Sequence, residues 1–330
     1  MLILRQSEVR QLLEGREHDI VELVARTYAA HAAGHSSLPH SIFLRFPDSP
    51  RDRIIGLPAY LGGEQPAVGM KWIASFPGNL ERGLERASAA IILNSAETGR
   101  PEALVEGSVI SAKRTAASAA LAARMLTAEP EPEGVTLIGT GVINFEVLRF
   151  LRAELPSLRR VAVFDQDPER CAGFAARVAA ELGTDLDVRA AATVSEALAA
   201  HRLVCAATTA ATPHLDLAPL PAGSTILHVS LRDIEAADIL AAQNVVDDTD
   251  HVARERTSIH LAEQAAGHRG FVDAEIGALV RDPGSFRRDP DRTLIYSPFG
   301  LGVLDIALAA STAADALDKG LGVRVDAFLD

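Results

Sequence analysis

The stretch Val135–Leu151, VTLIGTGVINFEVLRFL, runs from an apolar strand pattern through two glycines into a helical pattern. Few local signals constrain a fold as strongly, because strand, tight turn and helix in that order begin a βαβ unit of the dinucleotide-binding kind. Gly139 suits the tight turn and Gly141 the close approach of backbone to a pyrophosphate. Loop N–H groups and the positive end of the following helix then meet the phosphate charge. Asn144 stands where a third glycine is expected. That glycine serves helix–strand packing, so its absence is expected to alter packing more than phosphate binding. Asp165 ends the next strand pattern, about 20 residues further on, where a carboxylate meets ribose hydroxyls. A 2′-phosphate at that point would face like charge, so NAD is the expected cofactor, with Arg170 in FDQDPER leaving some tolerance of NADP.

After the loop, the runs VTLIGT, RVAVFDQD, DLDVRAAA, RLVCAAT, STILHVS and NVVDD alternate with helical stretches. This alternation predicts an α/β fold with a doubly wound, mostly parallel Rossmann sheet. Before residue 126 the pattern differs: SIFLRFP, RIIGLPAYLGG, AVGMKWIASFP, SAAIILNS and PEALVEGS are short strand patterns separated by Pro, Gly and Asp, and they predict a meandering sheet. A helical run, HDIVELVARTYAAHAAG, precedes them and an alanine-rich one, SVISAKRTAASAALAARML, follows. The acidic, proline-spaced TAEPEPEG at 127–134 reads as a linker. The final helix, GVLDIALAASTAADALDKG, is expected to pack back on the first region.

With 330 residues, 48% hydrophobic and 23% charged, the chain has the balance of a soluble globular protein of two domains. Its formal charge of −12 argues against nucleic acid and against a polybasic membrane patch as partners. Cys171 and Cys205 are too few and too far apart for a metal or disulfide framework, so no metal is expected and each reads as a small buried hydrophobe. The start, MLILRQSEVRQLLEG, lacks a basic segment ahead of a long apolar run, and no apolar stretch reaches the roughly 20 residues that span a bilayer. A cytoplasmic location is therefore expected.

Three cations stand among apolar neighbours in this acidic chain: Arg45 in FLRFP, Lys71 in GMKWIASFP and Arg114 in SAKRTAAS. Buried charge needs a partner. If the three converge, they would bind a substrate with more than one carboxylate, each charge-assisted hydrogen bond contributing about 1.5–3 kcal/mol. A lysine near arginines would also lose basicity and become a usable proton acceptor. Taken singly, each reads more readily as a strand-edge residue or a structural ion pair. Asp233, in HVSLRDIEAAD, follows a strand whose end borders the cofactor crevice; it reads as a catalytic acid, as the N-cap of the next helix, or as both.

GMKWIASFPGN, RASAAIILNSAETGRPEALVEGSVISAKRTAASAALAARML, LIGTGVINFEVLRFL, CAATTA and SPFGLGVLD together resemble the ornithine cyclodeaminase/mu-crystallin family, in order, from about residue 40 to residue 310. The resemblance implies a Rossmann domain, placed at 127–298, and a discontinuous substrate-binding and dimerisation domain, placed at 1–126 and 299–330, hence a homodimer. KWIASFPGN, GVINFE, VSLRDIE, DDTDHVARERTSIHLAEQ and YSPFGLGVLD look most like the branch of N-(2-amino-2-carboxyethyl)-L-glutamate dehydrogenases, which form 2,3-diaminopropionate for siderophores and antibiotics. By position, the resemblance makes Arg45, Lys71 and Arg114 the substrate-carboxylate residues and Lys71 and Asp233 the catalytic ones. It assigns NAD to Thr115, Gly139, Thr140, Gly141, Val142, Ile143, Asn144, Asp165, Ala207, Thr208, Thr209 and Ser230. Arg232 and His40 receive no firm role, an extra carboxylate contact being one reading of Arg232. An ornithine cyclodeaminase, a non-catalytic nicotinamide-binding protein of the mu-crystallin type and an imine reductase working in the synthetic direction remain alternatives.

Overall fold

The computed structural model describes residues 1–63, 65–128 and 130–329. Two compact units are present: Met1–Arg114 with Gly300–Asp330, and Thr115–Phe299. The division falls inside a continuous helix and not in the proline-spaced stretch 127–134, of which Glu129 lies outside the described residues.

The first unit opens with β1 (Leu2–Leu4), α1 (Gln6–Leu13), α2 (Glu17–Ala32) and β2 (Ser36–Ser37). It continues with β3 (Ile42–Phe46), β4 (Ser49–Leu61), β5 (Ala67–Ser75), β6 (Ala87–Asn94), β7 (Pro101–Glu106) and the start of α3 (Gly107–Leu126). The second unit follows with β8 (Gly134–Ile138), α4 (Val142–Glu154), β9 (Arg160–Phe164), α5 (Pro168–Glu181), β10 (Asp187–Ala190), α6 (Val194–Ala200) and β11 (Leu203–Ala206). Then come β12 (Thr225–His228), α7 (Ala236–Ala241), β13 (Gln243–Val246), α8 (Thr249–Val252), α9 (Ser258–Ala266), β14 (Val272–Glu275), α10 (Ile276–Arg281) and β15 (Leu294–Ser297). The chain re-enters the first unit as α11 (Gly302–Asp318) and β16 (Val323–Arg324).

In the first unit β3 to β7 form the expected antiparallel meander, and β1 adds a parallel strand beside β7. Alternation along β4, β5 and β6 sends Leu57, Ala59, Leu61, Ala67, Ile91 and Leu93 to a buried face. Helix α11 lies against β4, β5, β6 and α2. It is apolar nearly all round, with Val303, Leu304, Ile306, Leu308 and Ala309 buried, as suits a helix enclosed on several sides. Gly302 allows this approach, since a Cβ there would lie 3.0 Å from the Leu57 carbonyl oxygen.

The second unit carries an eight-stranded sheet in the order β10-β9-β8-β11-β12-β15-β13-β14, every pairing parallel. From β8 the chain builds outward through β9 and β10, then returns to place β11 on the other side of β8. The strand order therefore reverses between β8 and β11, and ligands of such sheets bind beyond the carboxyl ends of strands at this switch point. Strands β8 and β11 are buried throughout, which accounts for their largely apolar sequence, the one hydroxyl in β8, Thr136, donating to the Ala197 carbonyl.

Candidate functional site

At the switch point the loop after β8 turns at Gly139, whose φ of +91° an L side chain rarely adopts. A Cβ there would lie 2.7 Å from the carbonyl oxygen of Ala207, the residue after β11, so the two loops touch only because the position is glycine. Gly141 is the N-cap of α4 and offers open space where a Cβ would stand, and no side chain caps the helix. Uncapped N–H groups at a helix start beside an open backbone suit a pyrophosphate. Asn144 is fully buried, and its side-chain amide donates to the Ile138 carbonyl at 2.9 Å and to the Gly139 carbonyl at 2.6 Å. Its effect is therefore more than a change of packing, since it ties the end of β8 to the glycine turn. Asp165, just past β9, accepts hydrogen bonds from the Thr140 amide at 2.9 Å and the Thr140 hydroxyl at 2.8 Å, with Arg170 Nε 3.5 Å away. Burial pushes this carboxyl up, but the two Thr140 bonds, the Asp167 amide and the Arg170 charge together hold it below its ordinary value. Turn, uncapped helix and ionised acid are the kinds of group that accept the pyrophosphate and ribose of a dinucleotide. Val142 and Ile143 begin α4, Thr208 and Thr209 continue the loop after β11, and Thr115 is half-buried on α3.

Beyond β12, Asp233 is completely buried. It is not a helix cap, because α7 starts at Ala236 with Glu235 as its N-cap. The carboxylate instead accepts from the hydroxyls of Thr208 and Ser230, and His228 Nε2 lies 3.1 Å from its Oδ2. Burial alone would raise the acid; the His228 ring and the two hydroxyls overcome that and hold it at about 2. Ser230 also donates to the Ala206 carbonyl at 3.0 Å, so one hydroxyl joins the end of β11 to Asp233. The intervening Leu231 is buried at a φ of 68°, a left-handed conformation costly for a branched side chain. Its carbonyl accepts from Ser258 N at 2.7 Å.

The first unit holds a second charged cluster. Lys71, pointing from β5 to the buried face, is 1% exposed, and its Nζ lies 2.7 Å from Asp305 Oδ2 and 3.2 Å from the Ser111 hydroxyl. Arg114, 7% exposed on α3, donates through Nε to Asp305 Oδ1 at 3.0 Å. Asp305, on α11, is fully buried and divides its two oxygens between the two cations. Gly300, at φ +90°, makes room for Arg114, because a Cβ there would lie 2.6 Å from the guanidinium. Burial lowers Lys71 from 10.5 to about 8; the Arg114 charge adds to this, and Asp305 opposes it. The lowering expected from neighbouring arginines is thus mostly desolvation.

Lys71 and Arg114 are together, as their sequence contexts suggested, whereas Arg45 is not in that cluster. It sits on exposed β3 with its guanidinium 5.4 Å from the Phe43 ring centroid. Arg232 donates to the Glu255 carbonyl at 2.9 Å, and His40 is exposed. Sequence reasoning passed over Asp305 and His228, although each is a polar residue inside an apolar run, LGVLDIALAA and STILHVS. Both cysteines are buried, and burial pushes both thiols up. Among the described residues no group of His, Cys, Asp and Glu is arranged to hold a metal, and no helix is long and apolar enough to cross a membrane.

A family model, the ornithine cyclodeaminase/mu-crystallin family, matches residues 2–320. The chain is 31% identical to N-((2S)-2-amino-2-carboxyethyl)-L-glutamate dehydrogenase of Staphylococcus aureus, over 99% of both chains. The crystal structure of CmnK superposes with a TM-score of 0.91 at 28% identity, covering 100% of this chain and 99% of that one. An archaeal alanine dehydrogenase, a dimer with bound NAD, has the same fold, with a TM-score of 0.87 at 24% identity and 99% of each chain covered.

Proposed function

The chain belongs to the ornithine cyclodeaminase/mu-crystallin family and is an NAD-dependent enzyme acting on an amino acid; we propose that its reaction is the oxidative C–N cleavage of N-(2-amino-2-carboxyethyl)-L-glutamate. In this reaction the glutamyl Cα loses its hydrogen and two electrons as hydride, and the C–N bond becomes an imine. Water adds to the imine carbon, the C–N bond breaks, oxygen stays with 2-oxoglutarate and nitrogen leaves with 2,3-diaminopropionate. NADH and one proton are the other products. The observation that carries the proposal is the Lys71–Asp305–Arg114 cluster, which pairs a carboxylate-binding arginine with a lysine near 8. The kinship with the Staphylococcus aureus enzyme supports the choice of substrate.

NAD, when bound, supplies the hydride acceptor. Gly139, Thr140, Gly141 and the start of α4 would hold its pyrophosphate and Asp165 its ribose, with Asn144 fixing the turn. Arg114 binds a substrate carboxylate. The substrate nitrogen must lose a proton before hydride can leave, and Lys71 accepts it, being close to half neutral near pH 8. An acid held at about 2 is a poor proton acceptor near neutrality, so Asp233 contributes fixed negative charge and orders Thr208, Ser230 and His228.

A homodimer fits the outer face of the first sheet. Ile42, Tyr60, Trp72 and Ile92 share that face and are 58%, 43%, 38% and 38% exposed, a contiguous apolar area of the kind that marks an interface. A second copy is the partner, and Trp72→Glu should turn a dimer into a monomer by light scattering after size exclusion.

Incubation with NAD and N-(2-amino-2-carboxyethyl)-L-glutamate tests the reaction: NADH and 2-oxoglutarate should appear in equal amounts. Turnover of L-ornithine to proline without net NADH would mean a cyclodeaminase instead. Tight NAD binding with no product from any amino acid would mean a binding protein.

A further inference from the structure

Among the described residues four non-glycine positions have a positive φ, and three of them share one place. Leu231, at 68°, lies in the turn that carries Asp233, while Glu255 and Arg256, at 53° and 55°, lie in the turn between α8 and α9. A left-handed backbone at a residue with a Cβ costs free energy and persists only where its surroundings impose it. Here the two turns are tied to each other. Ser258, fully buried at the start of α9, donates its amide N–H to the Leu231 carbonyl at 2.7 Å. Its hydroxyl oxygen accepts from the Ile234 amide at 3.3 Å, so one residue holds the chain on both sides of Asp233. Arg232 adds a third tie, its Nη2 donating to the Glu255 carbonyl at 2.9 Å. The second turn is anchored from behind, the Arg256 amide donating to His260 Nδ1 at 3.1 Å and the Thr257 hydroxyl to the Val252 carbonyl. A buried amide needs an acceptor in any fold, which accounts for the Ile234 bond alone. It does not account for strain gathered in both turns around one acid, or for the Arg232 tie. A fixed charge acts only from a fixed position, and a displacement of about 1 Å can cost roughly a hundredfold in rate.

We propose that Ser258 and Arg232 are positioning residues for Asp233: through the two turns they hold Leu231 left-handed and keep the carboxylate on Thr208, Ser230 and His228. Their effect on turnover rests on the role proposed above for Asp233, whereas the hold itself is a property of the chain alone.

The test uses the whole protein with cofactor bound. Ser258→Ala should lower kcat for N-(2-amino-2-carboxyethyl)-L-glutamate at least tenfold, with KM and NADH affinity within threefold of native. Arg232→Met, which keeps the stem and removes the donor, should do the same, and Ser258→Thr, which keeps the hydroxyl, should restore most of the rate. In an Asp233→Asn background Ser258→Ala should cost less than a further twofold, because it acts through the acid. Amide hydrogen exchange reads the hold without substrate: in both variants the Asp233 amide should exchange at least tenfold faster, while Val135 to Leu151 exchange as in the native protein. A merely structural role would lower the unfolding temperature and leave kcat and the Asp233 amide unchanged, and that result overturns the proposal. A full additional loss in the Asp233→Asn background overturns it as well. If Ser258→Ala does not fold, Arg232→Met decides. If the compound is not turned over but exchange quickens, the hold stands and the substrate reading fails; unchanged exchange overturns the hold whatever the substrate. If the compound is turned over and both variants keep native kcat, the reading stands and the positioning fails.

Discussion

Replacing Asp165 with serine should reverse the cofactor preference. The carboxylate is mostly buried, 15% exposed in its side chain, and ionised by its bonds to Thr140. A 2′-phosphate in its place of action would stand roughly 4 Å away, where two unit charges at an effective dielectric near 20 repel by about 4 kcal/mol. Partial exposure and salt reduce this to about 2 kcal/mol. NAD in turn loses the charge-assisted bond from ribose to carboxylate, about 1.5–3 kcal/mol. Arg170, now 3.5 Å from Asp165, becomes available to the phosphate, adding up to about 1 kcal/mol because it is half exposed. Losing the Thr140 bonds loosens the turn for both cofactors equally and cancels in the ratio. The sum, about 3.5–6 kcal/mol, is a change of at least a hundredfold in the NADH to NADPH affinity ratio. Fluorescence titration of the two reduced cofactors measures that ratio without any substrate. A change below fivefold in a folded Asp165→Ser protein would refute the assignment of Asp165 to the ribose.

Other consequences follow from the two charged clusters. Asp233→Asn should keep NADH affinity within a few-fold while turnover falls at least a hundredfold; near-normal turnover removes Asp233 from the mechanism. Because its folded-state acidity lies near 2, against 3.8 ordinarily, Asp233 contributes about 2 kcal/mol of stability above pH 4 that fades as pH falls through 2, visible as a smaller acid loss in the variant. Asp305→Asn removes the anion shared by Lys71 and Arg114 and should cost about 3–5 kcal/mol in urea unfolding, unlike substitution of an exposed acid. With Lys71 near 8 in the folded protein and 10.5 ordinarily, the native state sheds its proton first, so stability rises between those pH values by about 3 kcal/mol. The same neutral amine should make kcat/KM climb with pH to a plateau above 8, a limb that Lys71→Arg abolishes.

The parallel sheet was legible because its central strands are buried on both faces and its strand patterns alternate with helical ones. Residues that act through local sequence, Gly139, Gly141 and Asp165, could be placed with it. Lys71 and Arg114 stood out because a charge among apolar neighbours needs a reason. What joined them did not: Asp305 comes from a helix almost 200 residues later, and alanine-rich helix sequence says little about its neighbours. Asn144 looked like a lost glycine, because a side chain bonding two backbone carbonyls leaves no trace in spacing. Asp233 before an apparent helix start resembled a cap, since Asp is favoured there and the two extra residues before α7 are invisible to pattern.

The place of α11 in the chain has a consequence for biosynthesis. Synthesis delivers the second unit as one uninterrupted segment, free to fold as soon as Phe299 has emerged. The first unit, although most of it is made earlier, must wait for its last helix. Until then Lys71 and Arg114 lack Asp305, and the apolar face of β4 to β6 lacks the helix that covers it. The segment translated first is thus completed last, and a chaperone that shields a nascent sheet would find its client here, in residues 1–114.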